Sequence, residues 1–125
     1  MLNQTVLVGR LAQDPEVKEL EDGKSVSNIT LAVPRSYKNA EGEYDTDFIN
    51  CELWNGVAQN TSEYCKKGDL VGVKGRIQAD SYEDKETGEK KYTTKVVVDK
   101  VTFLASKKHD EEIESTKEDD KDIEI

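Results

Sequence analysis

Apolar and polar residues alternate along several stretches of the chain, and a period of two residues predicts β-strands. The clearest stretch is TDFINCELWN at residues 46–55. One face of this predicted strand is apolar and consists of Ile49, Cys51 and Leu53. The opposite face mixes two aromatic rings with an amide and a carboxylate, from Phe48, Asn50, Glu52 and Trp54. The first face fits a protein core, whereas the second places the only tryptophan of the chain on a polar surface.

The same pattern predicts four further strands, which are separated by turn signals. They cover residues 5–11, 25–35, 70–84 and 91–105, and a short hairpin element at residues 17–20 precedes the turn at Asp22-Gly23. Pro34 predicts a bulge or an edge near the end of the second strand, because proline has no backbone N–H to donate. On the strand over residues 70–84, four residues are predicted to face the core: Val71, Val73, Ile77 and Ala79.

Residues 57–67 are the only good candidate for a helix, and Gly68 is placed to end it. Gly68, Gly72 and Gly75 predict strong bending of the strand that follows. The order is then three strands, one helix and two strands. It predicts an all-β fold, a five-stranded OB-fold Greek-key barrel with one short helix between strands 3 and 4. A small open α+β sheet is the alternative.

The negative charge of the chain is concentrated at its C-terminal end. The 125 residues carry a net charge of −9, and positions 110–125 hold nine acidic and two basic residues. This segment supplies −7 of the total and leaves −2 for residues 1–109. It has no aromatic and few apolar residues, so we expect a disordered acidic tail. The chain therefore divides into a domain at residues 1–105 and a tail at residues 106–125.

Several classes of function find no support in the sequence. No apolar run is long enough to span a membrane, and the first residues do not resemble a signal peptide. Two cysteines, Cys51 and Cys65, suit a reducing cytoplasm and are too few, with His109, for a zinc site. There is no glycine-rich phosphate loop, and the histidine falls in the predicted tail. We therefore expect a cytoplasmic protein that is no enzyme and has no metal and no cofactor.

Aromatic and basic residues share the faces that point away from the predicted core. Arg35 and Lys38 flank Tyr37 in the sequence, and Arg76 shares a strand face with Tyr82. Any base can stack on a flat aromatic ring, and each such stack contributes roughly 1–3 kcal/mol to the binding free energy. Basic side chains contact the phosphates of the backbone. The pattern indicates binding of single-stranded nucleic acid by four rings: Tyr37, Phe48, Trp54 and Tyr82.

An aromatic residue in a strand can instead pack against a neighbour or another subunit. We expect this of Tyr64 and Phe103, and we leave the role of Tyr92 open. Glu52 and Asp80 argue against a strong polyanion-binding groove, because each repels phosphate locally.

Seven stretches together resemble the bacterial single-stranded DNA-binding protein family. They follow one another over residues 1–104 and read VLVGRLAQDPEV, NITLAV, DFINCELW, YCKKGD, GRIQ, SYED and YTTKVVVDKVTFL. The resemblance implies an OB-fold homotetramer that wraps single-stranded DNA without sequence preference and protects it in DNA replication, recombination and repair. It implies that bases stack on Tyr37, Phe48, Trp54 and Tyr82. It also implies DNA contacts at or near five basic residues: Arg10, Arg35, Lys38, Lys67 and Arg76.

Two departures from the family pattern bear on function. Family members often carry basic residues just before the position of Tyr82, where this chain has Asp80. We therefore expect either weaker phosphate contacts, with a shallower salt dependence, or a different path of the DNA strand. The family tail ends in acidic residues followed by proline and phenylalanine, and that tip docks onto replication and repair proteins. Here the tail ends DDKDIEI, which suits a phage, plasmid or other mobile-element protein or a secondary paralogue. Its candidate partner-binding residues are Asp119, Asp120, Asp122, Ile123 and Ile125.

Three functions compete at this point. The first is sequence-nonspecific binding of single-stranded DNA by a nucleoid-associated protein. The second is an OB-fold assembly or interaction subunit with weak or lost DNA binding, which Glu52, Asp80 and the net charge favour. The third is an OB domain that binds RNA or an oligosaccharide, because the fold alone permits each of these ligands.

Overall fold

The computed structural model describes residues 1–107, so most of the predicted acidic tail lies outside the described residues. The described part contains one helix and six strands. In chain order they are β1 (Thr5–Leu11), β2 (Lys18–Glu19), β3 (Ser25–Lys38), β4 (Tyr44–Trp54), α1 (Asn55–Tyr64), β5 (Leu70–Glu83) and β6 (Lys90–Ala105).

Five of these strands close into a barrel. Their order around the sheet is β1-β5-β6-β4-β3, and β1 closes the circle by pairing with β3 at Arg10↔Ala32 and Leu11↔Leu31. In the described part of the chain, the pairing of β4 with β6 is parallel and the other pairings are antiparallel. The short β2 lies along the start of β3. The predicted OB-fold barrel is confirmed, and the closure rules out the open α+β sheet.

The barrel encloses a core to which all five strands contribute. Its most buried apolar side chains are Leu11, Ile29, Leu31, Cys51, Leu53, Val71, Val73, Val96 and Val98. On β4, Cys51 and Leu53 are buried and Ile49 is partly buried, which confirms the predicted core face. Helix α1 packs on this core through the buried Ala58 and Thr61. The opposite face of β4 therefore lies on the outside of the barrel.

Strand β5 leaves the barrel halfway along its length. Its pairing with β6 shifts register between Lys74 and Gly75. Beyond this bulge Ile77 is 49% exposed and Ala79 is exposed, so the prediction that both face the core is wrong. The alternation of β5 continues past this shift, because the extra unpaired residue is Asp99 on β6, and the two strands then extend beyond the core. We call the two-stranded extension at residues 77–95 the β5–β6 arm.

Strands β3 and β4 form a second arm, residues 35–46, which we call the β3–β4 arm. The register between the two strands shifts between Pro34 and Lys38, which confirms the bulge predicted at Pro34. The turn at the tip is held by the Asn39 side chain, whose Oδ1 accepts the backbone N–H groups of Glu41 at 2.9 Å and Glu43 at 3.0 Å. Each arm therefore extends a barrel strand pair into solvent.

Helix α1 begins two residues earlier and ends three residues earlier than the predicted range of 57–67. It ends at Tyr64 because Cys65 is already extended, with φ −119° and ψ 148°. Gly68 lies in the turn that follows, at φ +91°, and its N–H donates to the Leu11 carbonyl at 2.8 Å. Gly68 thus connects the turn to β1 and does not cap the helix. No described helix is long and apolar enough to cross a membrane.

Candidate nucleic-acid interface

The outer face of β4 carries two of the four predicted stacking rings. We call it the β4 groove, and its β4 side chains are Phe48, Asn50, Glu52 and Trp54. Alternate residues share a face and each residue rises roughly 3.3 Å, so the Cα atoms of Phe48 and Trp54 are about 20 Å apart. The Phe48 side chain is 66% exposed, whereas Trp54 is half-buried. The two rings therefore mark two separate contact points along one strand.

A polar cleft of about 460 Å³ lies between these two rings. Amide and hydroxyl side chains line it, from Gln13, Asn28, Thr30, Asn50, Thr93 and Thr94. The amide nitrogens donate hydrogen bonds, the amide oxygens accept them, and the threonine hydroxyls do both. The cleft also contains three charged side chains, those of Glu52, Asp80 and Lys95. It can therefore receive a polar ring edge, such as that of a nucleobase.

Lys95 connects the two carboxylates of the cleft. Its Nζ lies 2.8 Å from Glu52 Oε2 and 3.1 Å from Asp80 Oδ2. These hydrogen bonds, first to Glu52 and then to Asp80, raise the pKa of Lys95. The pKa of Asp80 is lowered, first by the Gln78 amide that donates at 3.0 Å and then by Lys95. The three charged groups have a formal net charge of −1, so one lysine offsets half of the repulsion that the sequence predicted.

Glu52 also fixes the tryptophan. The indole Nε1–H of Trp54 donates to Glu52 Oε1 at 2.6 Å. Trp54 is at the same time the residue before α1, with extended φ −121° and ψ 144°. The next residue, Asn55, has φ 51° and accepts the Ser25 N–H at 3.1 Å. Glu52 therefore holds the polar edge of the ring, and the Asn55 side chain connects the start of α1 to β3.

The two remaining predicted rings lie on the arms. Tyr37 is 63% exposed on the β3–β4 arm, and Tyr82 is 52% exposed on the β5–β6 arm. Each arm also carries a lysine over a second tyrosine ring: Lys38 Nζ lies 5.8 Å from the Tyr44 ring centre, and Lys90 Nζ lies 5.9 Å from that of Tyr92. Tyr44 is not among the predicted rings, because its exposure near the hairpin tip depends on the register of the arm.

Arg35 is engaged by acidic neighbours. Its guanidinium donates to both oxygens of Asp47, with Nη2 2.9 Å from Oδ1 and Nε 3.1 Å from Oδ2. Asp45 lies 3.9 Å from Nη1. The hydrogen bond to Asp47 raises the pKa of Arg35 and lowers that of Asp47. A phosphate at Arg35 would therefore compete with a carboxylate that already occupies the guanidinium fork.

The other predicted cations fall into two groups. Arg10, on the outer face of β1, donates from Nη1 to the Gly68 carbonyl at 2.9 Å, which brings it close to Lys67. The Lys67 side chain is exposed, and its backbone N–H donates to Asp14 Oδ1 at 2.8 Å. Arg76 is exposed on β5. The fold thus brings Arg10 and Lys67 to one place but leaves Arg76 on a different strand.

Lys95 is a charged residue of the cleft that could not be predicted from the sequence. Its partners Glu52 and Asp80 lie 43 and 15 positions away in the chain and on two other strands. Alternation with the buried Val96 places Lys95 on a non-core face, and that is the only local signal. The pairing itself requires the parallel contact of β4 with β6, which no local pattern predicts.

Some predictions concern other parts of the chain. Tyr64 and Phe103, which we expected to pack against a neighbour or another subunit, are 67% and 48% exposed within the described residues.

The candidate partner-binding positions 119–125 and His109 lie outside the described residues. Cys51 and Cys65 are buried, and burial raises the pKa of Cys51 to about 11. Among residues 1–107 no cluster of three metal-ligating side chains occurs.

A closed five-stranded barrel with two aromatic rings on the outer face of one strand belongs to the OB-fold class, whose members bind oligonucleotides or oligosaccharides. The sequence model of the single-strand binding protein family matches residues 2–104. "Single-stranded DNA-binding protein B" of Bacillus subtilis (strain 168) is 51% identical over 107 residues, which are 86% of this chain and 94% of that protein. The chain belongs to the single-strand binding protein family.

Two further relatives give the same result. "Single-stranded DNA-binding protein 1" of Staphylococcus aureus (strain MSSA476) is 47% identical over 111 residues, 89% of this chain and 70% of that protein. A protein of the same name from Lactococcus lactis subsp. lactis (strain IL1403) is 46% identical over 108 residues, 86% and 71% of the two chains. The similarity therefore covers the whole barrel and extends over most of each relative.

Proposed function

We propose that this protein binds single-stranded DNA without sequence preference and thereby protects it in DNA replication, recombination and repair. As a member of the single-strand binding protein family it is a DNA-binding protein and not an enzyme. The observation that supports the mechanism most directly is the pair of rings on the outer face of β4, with the polar cleft between them. Bases stack on Phe48 and Trp54, and further bases stack on Tyr37 and Tyr82 of the arms.

The charges of the β4 groove favour one orientation of the bound DNA strand. Glu52 and Asp80 outnumber Lys95 in the cleft, so a phosphate would be repelled there while an uncharged base would not. Bases therefore point into the β4 groove, and the phosphates face solvent and the basic residues outside the cleft. The candidate phosphate contacts are Arg10, Arg35, Lys38, Lys67 and Arg76.

Trp54 provides the experiment that tests this function, because it is the only tryptophan of the chain. The full chain is titrated with oligothymidylate and, separately, with a duplex of equal length, while tryptophan fluorescence is recorded. We expect strong quenching by the oligothymidylate and little by the duplex, whose bases are already stacked and paired. If neither ligand changes the fluorescence and neither binds in a filter assay, the proposed function is wrong.

Replacing Lys95 by alanine should weaken DNA binding several-fold at low salt. The substitution leaves Glu52 and Asp80 without their shared cation, and the formal charge of the cluster falls from −1 to −2. The added repulsion is screened as ionic strength rises, so the difference from the parent protein should shrink toward 0.15 M salt, where the Debye length is about 8 Å. Fluorescence polarisation of a labelled oligothymidylate at several salt concentrations measures both effects.

The matched control is the double variant Lys95→Ala/Glu52→Gln. It restores the charge of −1, and the glutamine oxygen can still accept the indole N–H of Trp54. Its affinity should return close to that of the parent protein. Equal affinities for the parent protein and the Lys95→Ala variant at every salt concentration would show that the cluster does not influence binding.

The family forms homo-oligomers, and we propose that this chain forms a homotetramer. An apolar strip on the outer face of the barrel supports this proposal. Val6 and Val8 on β1 are 67% and 49% exposed, and Leu104 on β6 is 40% exposed. Strand β5 lies between β1 and β6, and at this place it has Gly72, which has no side chain. Burying such a strip is favourable at roughly 25 cal/mol per Å². Light scattering of the full chain counts the copies, and a monomer at micromolar concentration would contradict this part of the proposal.

The same proposal extends to the remaining sequence predictions. Residues 1–105 act as the DNA-binding domain, and residues 106–125 act as a tail that recruits replication or repair proteins. The protein works in the bacterial cytoplasm, associated with the nucleoid, and its origin is a bacterial chromosome, a phage or another mobile element. The competing function, an assembly subunit without DNA binding, rested on Glu52 and Asp80, and their pairing with Lys95 weakens that argument.

A further inference from the structure

Asn55 and Gly56 form the only Asn-Gly pair of the chain, and they are the first two residues of α1. Both residues are exposed. Asn55 directly follows Trp54, and at φ 51° it is the one non-glycine residue with a positive φ within residues 1–107. The pair therefore makes the sharp turn by which the chain passes from β4 into α1. None of the roles proposed above uses it.

The backbone nitrogen of Gly56 has the properties of a nucleophile. Glycine has no Cβ atom that would shield this nitrogen. The first N–H groups of a helix have no acceptor in a preceding turn, so the helix does not engage the Gly56 N–H. The positive end of the helix dipole also favours the loss of its proton. The fold therefore leaves this nitrogen available for attack on a neighbouring carbonyl group.

The side-chain amide of Asn55 is polarised by a backbone donor. Its Oδ1 accepts the N–H of Ser25, the first residue of β3, at 3.1 Å. Ser25 is itself buried, and its hydroxyl accepts the Gln59 amide N–H at 3.2 Å. A donor on a carbonyl oxygen stabilises the negative charge that an attack on the carbon would place there. The contact with Ser25 therefore favours attack at Cγ of Asn55.

We propose that Asn55 is a site of spontaneous deamidation. The Gly56 nitrogen gives its proton to hydroxide and attacks Cγ of Asn55. The new N–Cγ bond closes a succinimide ring, and the Cγ–Nδ2 bond breaks, so that ammonia leaves with a proton taken from water. Water then opens the ring at Cγ to give aspartate, or at the backbone carbonyl carbon to give isoaspartate, whose main chain passes through Cγ. The sum is one water consumed and one ammonia released, without oxidation or reduction.

Both products should weaken the contact of DNA with Trp54, and this part of the inference rests on the proposed function. Deamidation adds a carboxylate directly after Trp54, in a groove whose cleft already has a formal net charge of −1. Isoaspartate also lengthens the main chain by one carbon at the turn where Asn55 contacts Ser25. Because Trp54 lies between this turn and the pairing of β4 with β3, the longer main chain should displace its ring.

The first test measures the modification itself, without DNA. The full chain is kept at mildly alkaline pH, and its peptides are sequenced by mass spectrometry at intervals. We expect Asn55 to gain the mass of an acid in place of an amide and to give two chromatographic forms. Asn28 and Asn50 on the neighbouring strands should remain amides, since the residues that follow them have side chains. An unchanged Asn55 in the folded protein, after the time in which the urea-unfolded chain converts half of it, would overturn the inference.

Gly56→Ala is the matched control, because alanine shields the backbone nitrogen and leaves Asn55 in place. The site accepts the change, since a Cβ atom at Gly56 would meet no described atom within 4 Å and its φ is not positive. Alanine is also the better helix former. The variant should bind oligothymidylate as the fresh parent protein does and should deamidate several times more slowly. Equal deamidation rates in the variant and the parent would contradict attack by the Gly56 nitrogen.

Binding of oligothymidylate before and after the incubation tests the consequence. The converted parent protein should lose affinity about two- to fivefold at low salt, the range expected for one exposed charge, while incubated Gly56→Ala should lose none. Asn55→Asp separates the two products, because it adds the charge without lengthening the main chain. It should therefore lose less affinity than the isoaspartate form isolated by chromatography.

The outcomes separate this inference from the function on which part of it rests. If the fresh parent protein does not bind oligothymidylate, the proposed function fails, while the mass spectra still decide whether Asn55 deamidates. If Asn55 converts and the fresh and converted proteins bind equally, the effect on DNA binding is wrong. Loss of affinity at the same rate in the parent and in Gly56→Ala would assign the loss to another change in the protein and would overturn its link to Asn55.

Discussion

Replacing Phe48 and Trp54 together by alanine should weaken single-stranded DNA binding about a thousandfold. Removing a stacking platform costs roughly 1–3 kcal/mol, and every 1.4 kcal/mol is a factor of ten in affinity. Phe48 is 66% exposed, so its truncation leaves no cavity in the core. Trp54 is half-buried, and its removal also takes one hydrogen-bond donor from Glu52. Fluorescence polarisation of a labelled oligothymidylate measures the loss, since the double variant contains no tryptophan.

The matched control for this pair is Phe48→Tyr with Trp54→Phe. It keeps a flat ring at both positions and should retain most of the affinity. Thermal unfolding of both double variants shows whether the barrel is intact, because a loss of affinity in an unfolded protein carries no information about stacking. A loss below threefold in a folded alanine double variant would mean that the bases stack elsewhere, and the arms would then be the first place to search.

Gly75→Ala should destabilise the barrel by about 3 kcal/mol and lower its melting temperature by roughly 10–20 °C. Gly75 lies at the bulge where β5 turns out of the barrel. A Cβ atom there would overlap the carbonyl oxygen of Val97 on β6, and its next neighbours are backbone atoms of Val97 and Val98. Backbone atoms of a paired strand cannot rotate away as a side chain can, so the whole pairing must shift.

Gly72→Ala is the matched control for this substitution, three residues earlier on the same strand. The nearest atoms to its Cβ would be those of Leu104 and Thr102, at 3.9 Å, an ordinary contact distance. We expect a change in melting temperature of only a few degrees for this variant. Differential scanning calorimetry compares both with the parent protein. Similar melting temperatures for the two variants would contradict the steric argument.

The barrel could be predicted from the sequence because its main signals are local. Alternation on β4 separates Cys51 and Leu53 from Phe48 and Trp54, and the structure keeps that separation. The bulge at Pro34 could also be predicted, since a proline lacks the hydrogen-bond donor that a regular ladder needs. The order of strands and helix then left few ways to close the sheet.

The errors arise where distant parts of the chain decide the outcome. Ile77 continues the apolar alternation of β5, but the bulge at Gly75 carries it out of the barrel. The expected repulsion of phosphate by Glu52 and Asp80 stays a prediction, but Lys95 could not be included in it, because nothing near the two carboxylates in sequence identifies Lys95 as their partner. A residue type and its face can be predicted from a local pattern, whereas an ion pair between three strands depends on the register of the whole sheet.

Because carboxylates already pair with Arg35 and Lys95, the affinity for DNA should depend only weakly on the salt concentration. Cations that already have acidic partners neutralise fewer phosphates, so less of the binding free energy comes from the release of ions around the DNA. The remainder comes from stacking, which depends much less on ionic strength. When an osmotic shift raises the salt content of a cell, a protein of this design should stay on its single strands while more basic competitors dissociate.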